Sequence, residues 1–208
     1  MAEVVRFINT ASTAGGNGTT NATSGANRAY ATAQEWETAE QTDLVADGDT
    51  HLVHCEGSTA DTGNLNVNGW TTNETRTIKI VVDQGVRHDG KFNTGNYRLE
   101  GAGVFGENVI EINETDVTLQ GIQIEMTSAG AGSTGIMTNS GASARCRLDS
   151  VIVKGSGLGS NIIARSVMFL INCLSYDSGG GGFDMREGND RANNCTAHSN
   201  VVGYDSIA

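Results

Sequence analysis

From residue 117 onwards, short runs of alternating apolar and polar residues return with a nearly constant spacing. Residues 117–124, 146–153, 169–176 and 192–198 superpose on a polar residue followed by a small one: Gln120-Gly121, Asp149-Ser150, Asn172-Cys173 and Asn194-Cys195. The small members stand 29, 23 and 22 residues apart. A second marker recurs between them, at Gly135-Ile136, Asn161-Ile162, Gly182-Phe183 and Gly203-Tyr204. Short strands returning every twenty-odd residues without a helical stripe predict a solenoid.

Alternation with a period of two places Leu119, Ile122 and Ile124 in register with Leu148, Val151 and Val153, so each coil buries its apolar set against the previous one. Coils then rise by the ordinary strand separation, about 4.8 Å. Tight corners need small residues or positive φ, as the run of glycines at 179–182 supplies. Asn172 and Asn194 predict a ladder of side-chain amides inside the stack, and Cys173 and Cys195 a stack of small buried groups at one phase. A β-sandwich would instead show Asn-Gly or Asp-Gly turns about every eight to twelve residues, with no demand for one residue class at one phase.

Earlier in the chain the pattern changes. Residues 4–8 are a candidate strand, and residues 10–26 are almost wholly Gly, Ser, Thr, Asn and Ala, so residues 1–26 are expected to form an arm or linker. Tyr30, Ala33, Trp36, Glu37 and Glu40 fall at helical spacing, predicting a short helix at about 28–44 with Tyr30 and Trp36 buried across the end of the solenoid. Residues 51–55, 65–67, 77–82, 97–99 and 109–112 predict the strands of the first coils. Between them residues 83–96, with Arg87, His88, Asp89, Lys91 and Asn93, read as a solvated polar excursion. The last rung ends near residue 206 without a strand or helix that would close the stack, which anticipates either a further chain on that edge or an edge tolerated through its polar residues.

The rungs from Asn172-Cys173 to Gly182 and from Asn194-Cys195 to Gly203 resemble the right-handed parallel β-helix of the pectate-lyase-like superfamily. Arg28-Ala29-Tyr30-Ala31-Thr32, Trp36-Glu37, Asp43-Leu44, Asp47-Gly48-Asp49-Thr50 and Gly69-Trp70 resemble the N-terminal region of β-helix proteins encoded by bacteriophages and environmental viral genomes. The likeness runs from about residue 27 to the end. It implies an all-β, right-handed parallel β-helix over residues 27–208, with a short capping helix and an extended N-terminal arm. A non-enzymatic virion structural protein is also implied, as a capsid decoration or cement protein or a head or tail appendage. Such a protein would be made in the host cytoplasm, with other virion proteins as partners through the arm, and would self-associate. The alternative is a polysaccharide-binding or depolymerising, tailspike-like protein acting on host-surface glycans.

Composition narrows the partners. With 13 Lys and Arg against 24 Asp and Glu, the net charge is −11, which disfavours nucleic acid and anionic membrane. No apolar run is long enough for membrane insertion. Cys55, Cys146, Cys173 and Cys195 lack any Cys-x-x-Cys spacing, so neither zinc nor a redox pair is indicated. Polygalacturonase-like enzymes would bring Asn-Thr-Asp, Asp-Asp, Gly-His-Gly and Arg-Ile-Lys, none of which occurs, and no cofactor or metal is expected. The surviving catalytic candidates are Asp184 and Asp205, equivalent on neighbouring coils, with His198 and Asp177 near in phase. Two carboxylates about 5–5.5 Å apart would suit a retaining glycosidase, whereas an Asp after an aromatic at a corner caps backbone N–H groups instead.

Overall fold

The computed structural model describes residues 2–101, 106–127, 132–139, 145–157, 159–186, 188–200 and 202–206. Strand β1 (Glu3–Asn9) is followed by helices α1 (Ala33–Glu40) and α2 (Leu44–Asp47). Six coils of three strands come next. They are β2 (Thr50–Glu56), β3 (Ala60–Asp61) and β4 (Leu65–Val67); β5 (Ile78–Val81), β6 (Arg98–Gly101) and β7 (Asn108–Ile112); and β8 (Val117–Gln120), β9 (Gln123–Met126) and β10 (Thr134–Thr138). The rest are β11 (Arg145–Asp149), β12 (Ile152–Gly157) and β13 (Ser160–Ala164); β14 (Val167–Ile171), β15 (Leu174–Ser178) and β16 (Gly181–Met185); and β17 (Arg191–Asn193), β18 (Thr196–His198) and β19 (Val202–Ser206).

Each strand pairs in parallel with its counterpart one coil away, giving three sheets: β1-β2-β5-β8-β11-β14-β17, β3-β6-β9-β12-β15-β18 and β4-β7-β10-β13-β16-β19. The chain is thus an all-β parallel β-helix. Its core is a set of columns, such as Val53, Ile80, Leu119, Leu148 and Leu170 in the first sheet and Leu65, Ile110, Ile136, Ile162 and Phe183 in the third, all essentially inaccessible. Each large aliphatic side chain in such a column contributes about 1.5–3 kcal/mol by leaving water.

The corner between the first and second sheets corrects the sequence alignment by one residue. Gly121, Ser150, Asn172 and Asn194 occupy equivalent places there, with φ of 71°, 55°, 54° and 52°. This is the left-handed region, where Gly and Asn cost least. Cys173 and Cys195 come one step later, in the inward column begun by Ile122 and Val151. Matching by size alone had paired the cysteines with Gly121 and Ser150, whereas backbone conformation pairs the asparagines with them. The asparagine ladder does form, Asn194 Nδ2 donating to Asn172 Oδ1 at 2.7 Å, but on the exposed corner and not inside the stack. Hydrogen bonding continues through the turn, with Ser150 N donating to Ile171 O at 2.8 Å and Asn172 N to Asn193 O at 3.0 Å.

At the N-terminal end the two expected plug residues are buried, Trp36 completely and Tyr30 nearly so. The helix is shorter than the 28–44 span. Thr32 caps α1, its Oγ1 accepting from Glu35 N at 3.1 Å, and Asp61 Oδ2 accepts from Ala33 N at 2.7 Å. After α1, Asp43 caps the separate α2. Trp36 stacks on Trp70 with ring centroids 5.6 Å apart, and His51 meets Trp70 edge-on at 4.9 Å. The edge of β4 is covered too, because Asn66 N and Asn68 N donate to Gln34 and Glu37 of α1 at 2.8 Å and 3.0 Å.

Of residues 1–26, expected as an arm, the described residues 2–26 are docked on their own first coil. All seven residues of β1 pair with β2, and Ile8 is fully buried. The polar stretch folds back, with Phe7 N donating to Gly18 O, Gly18 N to Arg28 O, and Ala29 N to Ala22 O, each at 2.8–2.9 Å. A strand edge is the physical reason: β2 would otherwise present unpaired backbone groups.

No disulfide links any of the cysteines, and Cys173 and Cys195 touch through their thiols on successive coils. The hydrogen bond from Cys173 favours the thiolate of half-buried Cys195 and lowers its pKa, while burial raises that of Cys55. Two outcomes follow. Deleting residues 1–26 uncovers β2 and removes buried Ile8, and should lower the unfolding free energy by more than about 3 kcal/mol in a urea titration. Iodoacetamide should alkylate Cys195 before the other three, at a rate that rises below the pH range of an ordinary thiol, as peptide mass spectrometry would read.

Candidate functional site

Of the sequence-derived catalytic candidates, Asp184 and Asp205 stand in register on neighbouring strands, whereas His198 and Asp177 belong to another sheet. Asp184 lies on the outer side of β16 in the third sheet, nine-tenths buried, and its carboxylate accepts from Arg186 Nε at 2.9 Å to each oxygen. The Asp205 backbone stands opposite it in β19, as the repeat implied, while its side chain lies outside what is described. His198 belongs to the second sheet, exposed on β18, with Ser199 Oγ at 2.8 Å from its Nδ1. Asp177 is an exposed residue of β15 in the second sheet, at φ 58°. Among the described residues no three His, Cys, Asp or Glu side chains are grouped to hold a metal ion. No helix among them is long and apolar enough to cross a membrane.

What the structure does assemble is a site around residues 83–96. This segment leaves β5 at the corner where later coils carry their left-handed residue, and runs down the outside of the second sheet before returning to β6. It is held at four places. Arg87 crosses Gly121, where a Cβ would stand 2.9 Å from Arg87 Cδ and 3.0 Å from Val82 O, so both contact and a φ of 71° select glycine. His88 reaches Ser150, two coils along from β5, placing Nε2 2.7 Å from the Ser150 carbonyl. Gln123 clamps the returning limb as a strand would: its Oε1 accepts from Asn93 N at 2.6 Å and its Nε2 donates to Asn93 O at 3.0 Å and Tyr97 O at 3.3 Å. Phe92 lies under Lys154 Nζ, 5.2 Å from the ring centroid, while that ammonium pairs with Glu125 at 2.5 Å, which raises its pKa.

The excursion read as solvated therefore packs, and two clefts meet beside Gly90. One, of about 480 Å³, lies between Arg87, His88 and Asp89 and the corner column Ser150, Asn172 and Asn194. The other, of about 380 Å³, lies between Lys91 and Phe92 and the outward residues Leu174, Tyr176, Thr196 and His198. An aromatic and aliphatic floor is thus continued by a row of amides and a hydroxyl. His198 is the one former catalytic candidate that lines it. Phe92, Tyr176, Gln123 and the role of His88 were not found from sequence. The available signal was the outward phase of Tyr176 in its strand, two positions after Leu174.

Compared with protein-family models, with curated proteins and with solved structures, the chain has no match.

Three hydrogen bonds of Gln123 hold the returning limb, each worth about 0.5–1.5 kcal/mol. Gln123→Ala should therefore speed tryptic cleavage after Arg87 or Lys91 by about tenfold or more, with little change in the melting temperature of the β-helix; gel-resolved proteolysis checks this.

Proposed function

We propose that this chain is a non-enzymatic structural and interaction protein, a rigid rod that serves a larger assembly. The setting that fits its viral-type sequence features is a virus particle, as a capsid decoration or cement protein or a head or tail appendage. The observation that carries the non-enzymatic reading is the pairing of Asp184 with Arg186, on a different sheet from His198. A carboxylate engaged by a guanidinium on both oxygens is not open to a cation or to a substrate proton. Rigidity follows from in-register stacking through six coils. Residues 10–28, folded on the first coil and largely exposed, are the surface we assign to attachment, and self-association belongs to the same proposal.

A second reading, glycan binding, is favoured by the paired clefts. Pyranose rings present apolar C–H faces that pack on aromatic rings, and hydroxyls that bond to planar amides, and Tyr176 and Phe92 adjoin Asn172 and Asn194 in this way. The net charge of −11 favours neutral over anionic oligosaccharides.

The two readings meet in one experiment. Incubated with acidic or neutral polysaccharide, with or without calcium, the protein should release no new reducing ends or unsaturated products, and Asp184→Ala should leave this unchanged. Release that the substitution abolishes would overturn the non-enzymatic reading. In a glycan array, retained neutral glycans should weaken by about tenfold in Tyr176→Ala, the loss of one stacked ring.

A further inference from the structure

We propose that residues 84–92 form an acid-released strap, whose latch is His88 and whose opening uncovers the outer face of the second sheet and takes away one wall of each cleft. The geometry of one imidazole carries this. His88 is 7% exposed, and both ring nitrogens are engaged. Gly90 N donates to Nδ1 at 3.1 Å, so Nδ1 is an acceptor and carries no proton. Nε2, 2.7 Å from the Ser150 carbonyl, must then be the N–H donor. The latched ring is the neutral Nε2–H tautomer. A second proton would go on Nδ1 and set two N–H groups against each other, while placing a cation in a mostly dry site.

The surroundings offer little to hold that cation. From its own loop His88 faces Arg87, which disfavours charge, and Asp89, which favours it; both oppose and partly cancel. The corner contributes Ser150, Asn172 and Asn194, all without charge, with Gln84 beside them. The Ser150 carbonyl favours a charged ring, but less than burial disfavours it. Asp149, which precedes Ser150 in the chain, is taken by Arg147 Nη2 at 2.9 Å and Ser150 Oγ at 3.0 Å. Burial accordingly lowers the pKa of His88 below its ordinary value. The sign follows: the closed strap is favoured above the solution histidine range, and the open strap gains as pH falls through it.

The segment can open without unfolding the rod. It enters and leaves the coil at residues 83 and 96 and contributes no strand, and Gly85, Gly90 and Gly95 allow its backbone to pivot; a Cβ at Gly85 or Gly90 would meet nothing within 4 Å. His51 is also buried and neutral, but at the sealed end of the helix, so its protonation would loosen β2 and α1 and not the loop. Strap opening does not depend on what the clefts bind.

Hydrogen exchange read by mass spectrometry on the intact protein, without sugar, tests the strap at pH 7.5 and 5.0 after correction for intrinsic rates. The expected result is a rise of about tenfold in the opening of residues 84–92, with β11, β14 and α1 unchanged. His88→Gln, whose amide can accept from Gly90 and donate to Ser150 without titrating, should abolish the rise. Equal protection at both pH values, or the same rise in His88→Gln, would overturn the strap. Should that variant not fold, nitrogen NMR of the unaltered protein decides: a neutral Nε2–H ring titrating below about 6.5 supports it, and an Nδ1–H tautomer or titration at or above 6.5 refutes it.

Discussion

Parallel pairing of each coil with its neighbours, in a register broken only by a bulge between β12 and β15 among the described strands, is the constraint on which everything else here rests. A strand such as β11 has no partner within its own coil; its backbone groups are satisfied only by β8 and β14. Side chains alternate between lumen and solvent, so a slip of one residue would send Cys146 and Leu148 outward and Arg147 into the core. Register is therefore fixed by every rung at once, and stability is close to a sum over adjacent coils.

The same constraint makes the corners informative. Because the stack forbids a wide turn between the first and second sheets, one residue must reverse its φ, and that residue must recur at each level. Gly121, Ser150, Asn172 and Asn194 meet this need by different chemistry: absence of a Cβ, or short polar side chains that tolerate the left-handed region. Where the second coil instead lets residues 83–96 out at this corner, the rod gains its one described excursion with packed chemistry beneath it. Gly121 then has two duties, turning the chain and making room for Arg87.

Much of the architecture was legible in the alternation of residues 117–208, because period two and a repeated phase are direct images of strand and coil. The second marker was right to the residue: Ile136, Ile162, Phe183 and Tyr204 are in register. The first was displaced by one at the cysteines, since size does not report φ. The docking of residues 2–26 was hidden for another reason. Gly- and Ser-rich composition says that a segment has no core of its own, but not that a neighbouring strand edge lacks hydrogen-bond partners. Least visible was the site, whose contacts are between an aperiodic loop and residues 30 to 62 positions away, as from Asn93 to Gln123 or His88 to Ser150. Charge within residues 83–96 suggested solvent, while the buried ring nitrogens and the Gln123 amide held the segment down.

The N-terminal seal gives the rod a direction. With β1 laid along β2, α1 along β4 and the Trp36–Trp70 pair in the lumen, the described edges of the first and third sheets on that face are already occupied. Coils stack away from that face in chain order, so the order in which residues are synthesised is also the order in which each coil meets its neighbour. A ribosome would thus feed a lattice that grows from a finished foundation, and each rung would find its mould already set.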